Sequence, residues 1–299
     1  MPRKDRLNYA PPTPRSRLDA WQKHFELLYA SATSLSVSPD YHALHDMWLS
    51  LVEGMRHLSK PIRKSAISPL IDHLPQTFCL LCGCCTKAGI RLADVTWEFF
   101  PYICPTCYRK PCICGSSKLG IGGPKQKDEK LLQRYRRKNG AYRPDTIDDY
   151  VRMFALIYHN HPDSSSFVNI YLHLSEEVAE VAQHVREIRE CKGGPPLLQI
   201  QRNLRSEIAD VFSWLCKLCW RIDLEWQGFI PWIEEQGLNS RTTKSVRGPS
   251  RITDFGLNRQ ILLSSLLLRS YRNGCPKCRM TPCRGTCGQW GSLCATESD

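Results

Sequence analysis

Apolar residues along this chain recur with a helical period, and two stretches show it most clearly. In 174–190, Leu174, Val178, Val181, Val185 and Ile188, with Tyr171 just ahead, make a stripe at heptad-like spacing. In 204–222, Leu204, Ile208, Val211, Leu215, Leu218 and Ile222 do the same. Both stretches predict amphipathic helices. The same reading predicts helices at Leu18–Tyr29, at Ile147–Tyr158, at 127–138 and near 257–271.

These helices come in two sets. Leu18, Asp19, Trp21, Phe25 and Tyr29 match Ile147, Asp148, Tyr150, Phe154 and Tyr158 at an offset of 129 (147 − 18). Tyr41, Leu44 and Arg56 match Tyr171, Leu174 and Arg186 at 130 (171 − 41). Leu70, Phe78, Leu81, Cys82 and Cys85 match Leu204, Phe212, Leu215, Cys216 and Cys219 at 134 (204 − 70). Drifts of this size are what changes of loop length produce, so the chain reads as a tandem duplication. The expected fold is all-α, with two repeated helical units packed as a pseudo-dimeric bundle. The expected divisions are a flexible tail (1–16), a first repeat (17–115), a basic linker (116–143) and a second repeat (144–294).

The polar face of the two principal helices carries the candidate chemistry. Glu176, Glu177 and Glu180 stand at i, i+1 and i+4, and Glu207 and Asp210 at i and i+3. Such spacings put carboxylates on adjacent sectors of a helix. If the two faces meet, five acids converge and repel one another unless hard cations such as Mg²⁺ or Mn²⁺ sit among them. Taken alone, the first helix also reads as a core helix with a solvated acidic back, since Glu176 and Glu180 lie away from the stripe and only Glu177 borders it. The second is harder to dismiss, because Glu207 sits at the stripe's edge beside Trp214. Lys217 lies two turns beyond Asp210 on the same face, where it could meet an anionic ligand.

Glu176-Glu177-x-x-Glu180 and Glu207-x-x-Asp210, set in LSEEVAEVAQHV and LRSEIADVFSWL, resemble the signature of the MazG-type all-α nucleotide pyrophosphohydrolases. The resemblance covers residues 146–224. It implies a helical bundle, a Mg²⁺ site on the five acids, and cleavage of a nucleoside triphosphate to the monophosphate and pyrophosphate. Within that reading Glu177 is a candidate general base, Lys217 is the first candidate to steady phosphate charge, and Trp214 or Tyr150 are candidates to contact the base of the nucleotide. At the 130 and 134 offsets the first repeat holds Asp46, Met47, Ser50, His73 and Gln76 in place of the five acids. It therefore reads as a degenerate half, either a built-in partner for the second, since the family is typically dimeric, or a scaffold. A further homodimer stays open.

Sixteen cysteines change the picture again. Cys104, Cys107, Cys112 and Cys114 lie in CPTCYRKPCIC; Cys275, Cys278, Cys283 and Cys287 lie in CPKCRMTPCRGTC. A C-x-x-C turn puts two thiolates on one tetrahedral cation, so each cluster is a candidate structural Zn²⁺ site. The tight Cys112-x-Cys114 pair leaves room for other pairings, including one ion shared between clusters, and a redox role is the minor reading. Cys79, Cys82, Cys84 and Cys85 fall along an apolar helix and read as packing residues.

The start of the chain is basic and shows no apolar leader, and 261–268 is far too short to span a bilayer, so a soluble cytoplasmic protein without membrane contact is expected. The net charge of +12 suits anionic partners. The basic stretch 127–138 is either a solvated linker helix or a patch for nucleic acid, and the basic loop 241–251 is either a mobile excursion or a cover for phosphates. The rival to an enzyme is a zinc-stabilised nucleic-acid- or partner-binding protein whose carboxylate site only senses nucleotide.

Overall fold

The helices of this chain begin where the sequence closes their first turn. Asp40 accepts from the Ala43 N–H ahead of α2 (Tyr41–Arg63), and Asp128 accepts from Lys130 and Leu131 ahead of α5 (Glu129–Asn139). Thr146 and Asp149 form a capping box on α6 (Ile147–Tyr158), and Ser166 accepts from Asn169 ahead of α7 (Phe167–Glu190). The remaining helices are α1 (Leu18–Tyr29), α3 (Ile67–Lys87), α4 (Leu92–Phe99), α8 (Pro195–Glu225) and α9 (Leu262–Tyr271). A computed structural model describes residues 11–29, 39–64, 66–114, 128–225 and 262–276. Among these residues the chain is all-α and forms no strand.

α1 and α6 have the expected bounds. α7 and α8 begin earlier than the periodic stretches, because Ser166 caps the first and Pro195 opens the second. The expected basic helix is α5, and it is tied down. Glu129 pairs with Arg136 and, at 2.8 Å, with Arg202 of α8; Glu98 of α4 pairs with Arg205. Arg134, Arg137 and Lys138 are exposed. Residues 115–127, the loop 241–251 and Cys278, Cys283 and Cys287 lie outside the described residues.

One continuous cluster of buried side chains fills the bundle, and its stripes are those of the sequence. α2 packs on α3, α7 on α8, and α2 on α7. The flanking helices cross over: α4, which follows α3, packs on α8, and α9, which follows α8, packs on α3. Contacts therefore recur in reciprocal pairs. Phe25 meets Tyr271 edge-on at 4.9 Å, and Phe154 meets Phe100 edge-on at 5.1 Å. Phe25 meets Phe78 at 6.1 Å, and Phe154 meets Phe212 at 6.2 Å. Trp48 donates its indole N–H to Val178 O at 2.8 Å, and Tyr171 donates its hydroxyl to Met55 O at 3.4 Å. Two matched pairs touch each other directly: Arg17 and Thr146 form an antiparallel bridge, and Phe78 and Phe212 meet at 5.9 Å with their rings tilted by 46°.

These contacts fix the register of α2 on α7. The reciprocal bonds Trp48–Val178 and Tyr171–Met55 relate the helices by 123 (171 − 48 and 178 − 55), not by the 130 expected from the pattern. The difference is one heptad, over which a buried stripe repeats itself. At 123, buried Met47, Leu51, Met55, Leu58 and Ile62 fall on buried Ile170, Leu174, Val178, Val181 and Val185.

Phe212 is fully buried, with Phe78, Tyr150 and Phe154 around it. Phe212→Ala should cost about 3–5 kcal/mol in chemical denaturation. A loss under about 1 kcal/mol would mean that the ring is not at a packed junction.

Candidate functional site

α7 and α8 form a helical hairpin closed by Cys191–Gly194, where Gly193 and Gly194 take positive φ (96° and 79°) that a side chain would strain. Glu177 lies 13 residues before the end of α7 (190 − 177), and Glu207 lies 12 after the start of α8 (207 − 195). At 1.5 Å per residue both stand roughly 20 Å from the turn, on facing helices. The apolar stripes on either side hold them there.

The structure brings three of the five acids together. Carboxylate oxygens of Glu177, Glu207 and Asp210 all lie within 4.8 Å of one another, and each residue is half-buried. Glu176 is exposed and pairs instead with His173 at 3.3 Å. Glu180 is exposed and outside the triad, though its charge reaches Glu177. Burial, then the charges of Asp210 and Glu180, push Glu177 up to about 7; hydrogen bonds with Trp214 and Glu207 pull the other way. The Trp214 indole N–H donates to Glu177 Oε1 at 3.2 Å.

A cation lies behind the acids. Lys217 is 3% exposed, with Nζ 3.2 Å from the centre of the Trp214 ring and 3.8 Å from that of Tyr158. Burial lowers it to about 8, while Asp210, Cys104 and Glu177 favour its charge. His173 stacks on Trp214 at 4.5 Å. Asp163 lies 3.4 Å from His173 and 3.5 Å from His161, whose pKa is lowered by burial and by Lys217.

Tyr150, expected near the base of a nucleotide, is a core residue instead. It is fully buried, packs on Phe212, and donates its hydroxyl to Ala93 O. Sequence reasoning passed over Tyr158, His161, Asp163 and His173. His173 could have been found, since it stands one turn before Glu177 on the same face; the others depend on how the end of α6 meets α8.

The expected first-half counterparts of the α7 acids also change. At the observed register Glu176, Glu177 and Glu180 fall on Glu53, Gly54 and His57, not on Asp46, Met47 and Ser50. A Cβ on Gly54 would stand 3.1 Å from Leu80, the residue matching Trp214, so no carboxylate side chain fits there without displacing it. His57 and His73 stack at 4.9 Å, in the places of Glu180 and Glu207.

The second group able to hold a metal is Cys104, Cys107, Cys112 and Cys114, whose sulfurs also lie within 4.8 Å of one another. Among the described residues, Cys79, Cys82, Cys84 and Cys85 form no such group and are buried in α3, as a packing role requires. Cys275 is buried.

Nothing matches this chain among family models, curated proteins or solved structures. No helix among the described residues is long and apolar enough to cross a membrane.

The raised pKa of Glu177 has a sign that can be tested in metal-free buffer. Between its ordinary 4.5 and its folded value of about 7, the folded chain keeps a proton that the unfolded chain has lost. Stability therefore falls as pH rises through that window. Asp148, pushed to about 7 mainly by burial, adds the same sign, so the variant difference isolates Glu177. Glu177→Gln should gain about 3 kcal/mol over the wild type at pH 8 and little at pH 4.5. An equal difference at both pH values in thermal melts would contradict this.

Proposed function

We propose that the chain is a Mg²⁺-dependent nucleoside triphosphate pyrophosphohydrolase of the MazG-like kind, with its site on α7 and α8. The observation that carries the reading is the meeting of Glu177, Glu207 and Asp210 from two helices in a half-buried place where Glu177 resists ionisation. Three acids at this distance form an all-oxygen donor set suited to a hard divalent cation, Mg²⁺ or Mn²⁺. Bound there, the cation would neutralise and orient the triphosphate.

The chain's own groups have separable tasks. Lys217 presents a buried positive charge to the developing charge on phosphate. Trp214 holds Glu177 through its indole N–H. Glu177, weakened as an acid, is suited to accept a proton from the attacking water. The water oxygen bonds to the α-phosphorus, the bond from that phosphorus to the bridging oxygen breaks, and pyrophosphate leaves.

We read the helices as two tandem MazG-like units, the first without a site. The reciprocal contacts support this: residues at corresponding offsets make the same bonds twice, and two matched pairs touch, as happens on a twofold axis. A second reading, a nucleotide-sensing nucleic-acid binder, draws its support from the exposed cations of α5.

With Mg²⁺ and a panel of NTPs and dNTPs, the wild type should release pyrophosphate. Glu177→Ala and Asp210→Asn should each lower release by about 10²-fold or more. Equal release from wild type and both variants would reject the enzyme, and binding without release would favour the sensor.

A further inference from the structure

We propose that Cys104, Cys107, Cys112 and Cys114 hold one Zn²⁺, and that this ion, acting through Tyr158, fixes Lys217 beside the acid triad. The second clause rests on the pyrophosphohydrolase reading only for its purpose; the zinc and the position of Lys217 can be measured without any nucleotide.

The sulfur geometry is that of a tetrahedral site. Cys104 and Cys114 Sγ are 3.7 Å apart, and Cys107 and Cys112 Sγ are 3.8 Å apart. A zinc–sulfur bond of about 2.3 Å gives a tetrahedral edge of about 3.8 Å, whereas a disulfide needs about 2.05 Å. All four cysteines are free. The Cys114 N–H points to Cys112 Sγ at 3.4 Å, the kind of backbone donor that supports a thiolate. Cys104 and Cys112 are almost wholly buried, so the ion would be closed off as a structural zinc is.

The cluster follows α4 in sequence but is docked on α6. The Cys112 N–H donates to Ile157 O at 2.6 Å, and the next residue, Tyr158, lies beside Cys104. The Tyr158 ring is one of the two on which the Lys217 ammonium rests. The path from sulfur to lysine is thus one tyrosine long. Tyr158 is a positioning residue: the backbone beside it is bonded to the cluster, and its ring carries Lys217. A liganded cluster holds that backbone in place, and loss of the ion frees the loop and the ring with it.

The chain carries its own control. Tyr29, which matches Tyr158, lies beside Cys275, which matches Cys104. The position matching Lys217 is Gly83 at the 134 offset (217 − 134). The docking contact occurs twice, and a lysine sits on it once.

The test uses the full chain. Metal content would be measured for wild type, Cys104→Ser and Cys112→Ser, and reaction of Lys217 with an acetylating ester would be followed by peptide mass spectrometry. Either cysteine change should remove one zinc equivalent per chain and expose Lys217 to labelling. Zinc unchanged in both would overturn the site. Should these variants misfold by far-UV circular dichroism, stepwise zinc release from the native wild type by a mercurial, with Lys217 labelling at each step, gives the same two answers. Tyr158→Leu should retain zinc, keep its helicity, and label at Lys217 about fivefold faster, because the ring under the ammonium is gone. Tyr29→Leu should label at the wild-type rate. Tyr158→Leu labelling no faster than Tyr29→Leu would overturn the brace. Because none of these readouts uses a nucleotide, a chain that hydrolyses nothing could still pass, and an active enzyme could still fail.

Discussion

Three carboxylates cannot share a few ångströms of half-buried space as free anions, and the centre of the second helical hairpin is built under that constraint. The apolar stripes of α7 and α8 supply the force that holds them there; each fully buried Leu, Val or Ile contributes about 1.5–3 kcal/mol. Against this, Glu177 keeps a proton to about pH 7, Trp214 donates to it, and Lys217 lies behind with an opposite charge. A hairpin selected for stability alone would place apolar residues at these positions. The cost is local and specific, as the proposed cation site requires.

The two halves show what the hairpin is like without that burden. Where Glu177 meets Trp214, Gly54 packs against Leu80. Where Glu180 and Glu207 stand, His57 and His73 lie ring on ring. The apolar framework survives, and with it the crossed packing of α4 and α9 on the opposite halves, because those contacts hold the two units together. α7 and α8 are also extended past the ends of their first-half partners. At the 123 and 134 offsets, Arg63 falls on Arg186 and Ile67 on Gln201, whereas α7 runs to Glu190 and α8 begins at Pro195.

Much of this was legible in the sequence, and the failures have physical causes. Periodicity identified α1 and α6 to the residue, and the stripes of α7 and α8 were the buried ones. The partly solvated character of the acidic face was also legible: Glu176 and Glu180 are on the wet side, and Glu177 and Glu207 are at the edge. The register of α2 on α7 was not, because a seven-residue stripe superposes on itself one heptad away, and only Trp48 and Tyr171 choose between the two fits. Tyr150 was misplaced because an aromatic near a helix start carries no mark of the direction it faces; its hydroxyl found Ala93 in the core. The neighbourhood of Tyr158 and Lys217 was invisible because it joins segments from both halves.

Lys217 is the residue whose presence most needs an explanation. Burial pulls it down to about 8, so folding a charged lysine here costs stability as pH falls from its ordinary 10.5 toward that value. At neutral pH it is still a cation, held by two aromatic rings and by Asp210 and Glu177. The matching position in the first half is Gly83, in a half where Gly54 and Gln76 stand opposite Glu177 and Asp210. On the proposed duplication, the acids and the lysine are present together in one hairpin and missing together in the other. Packing alone gives no reason for that association, since Leu80 fills the place of Trp214 in the first half without an acid or a lysine beside it; the proposed ligand, negative at one end and chelated at the other, would.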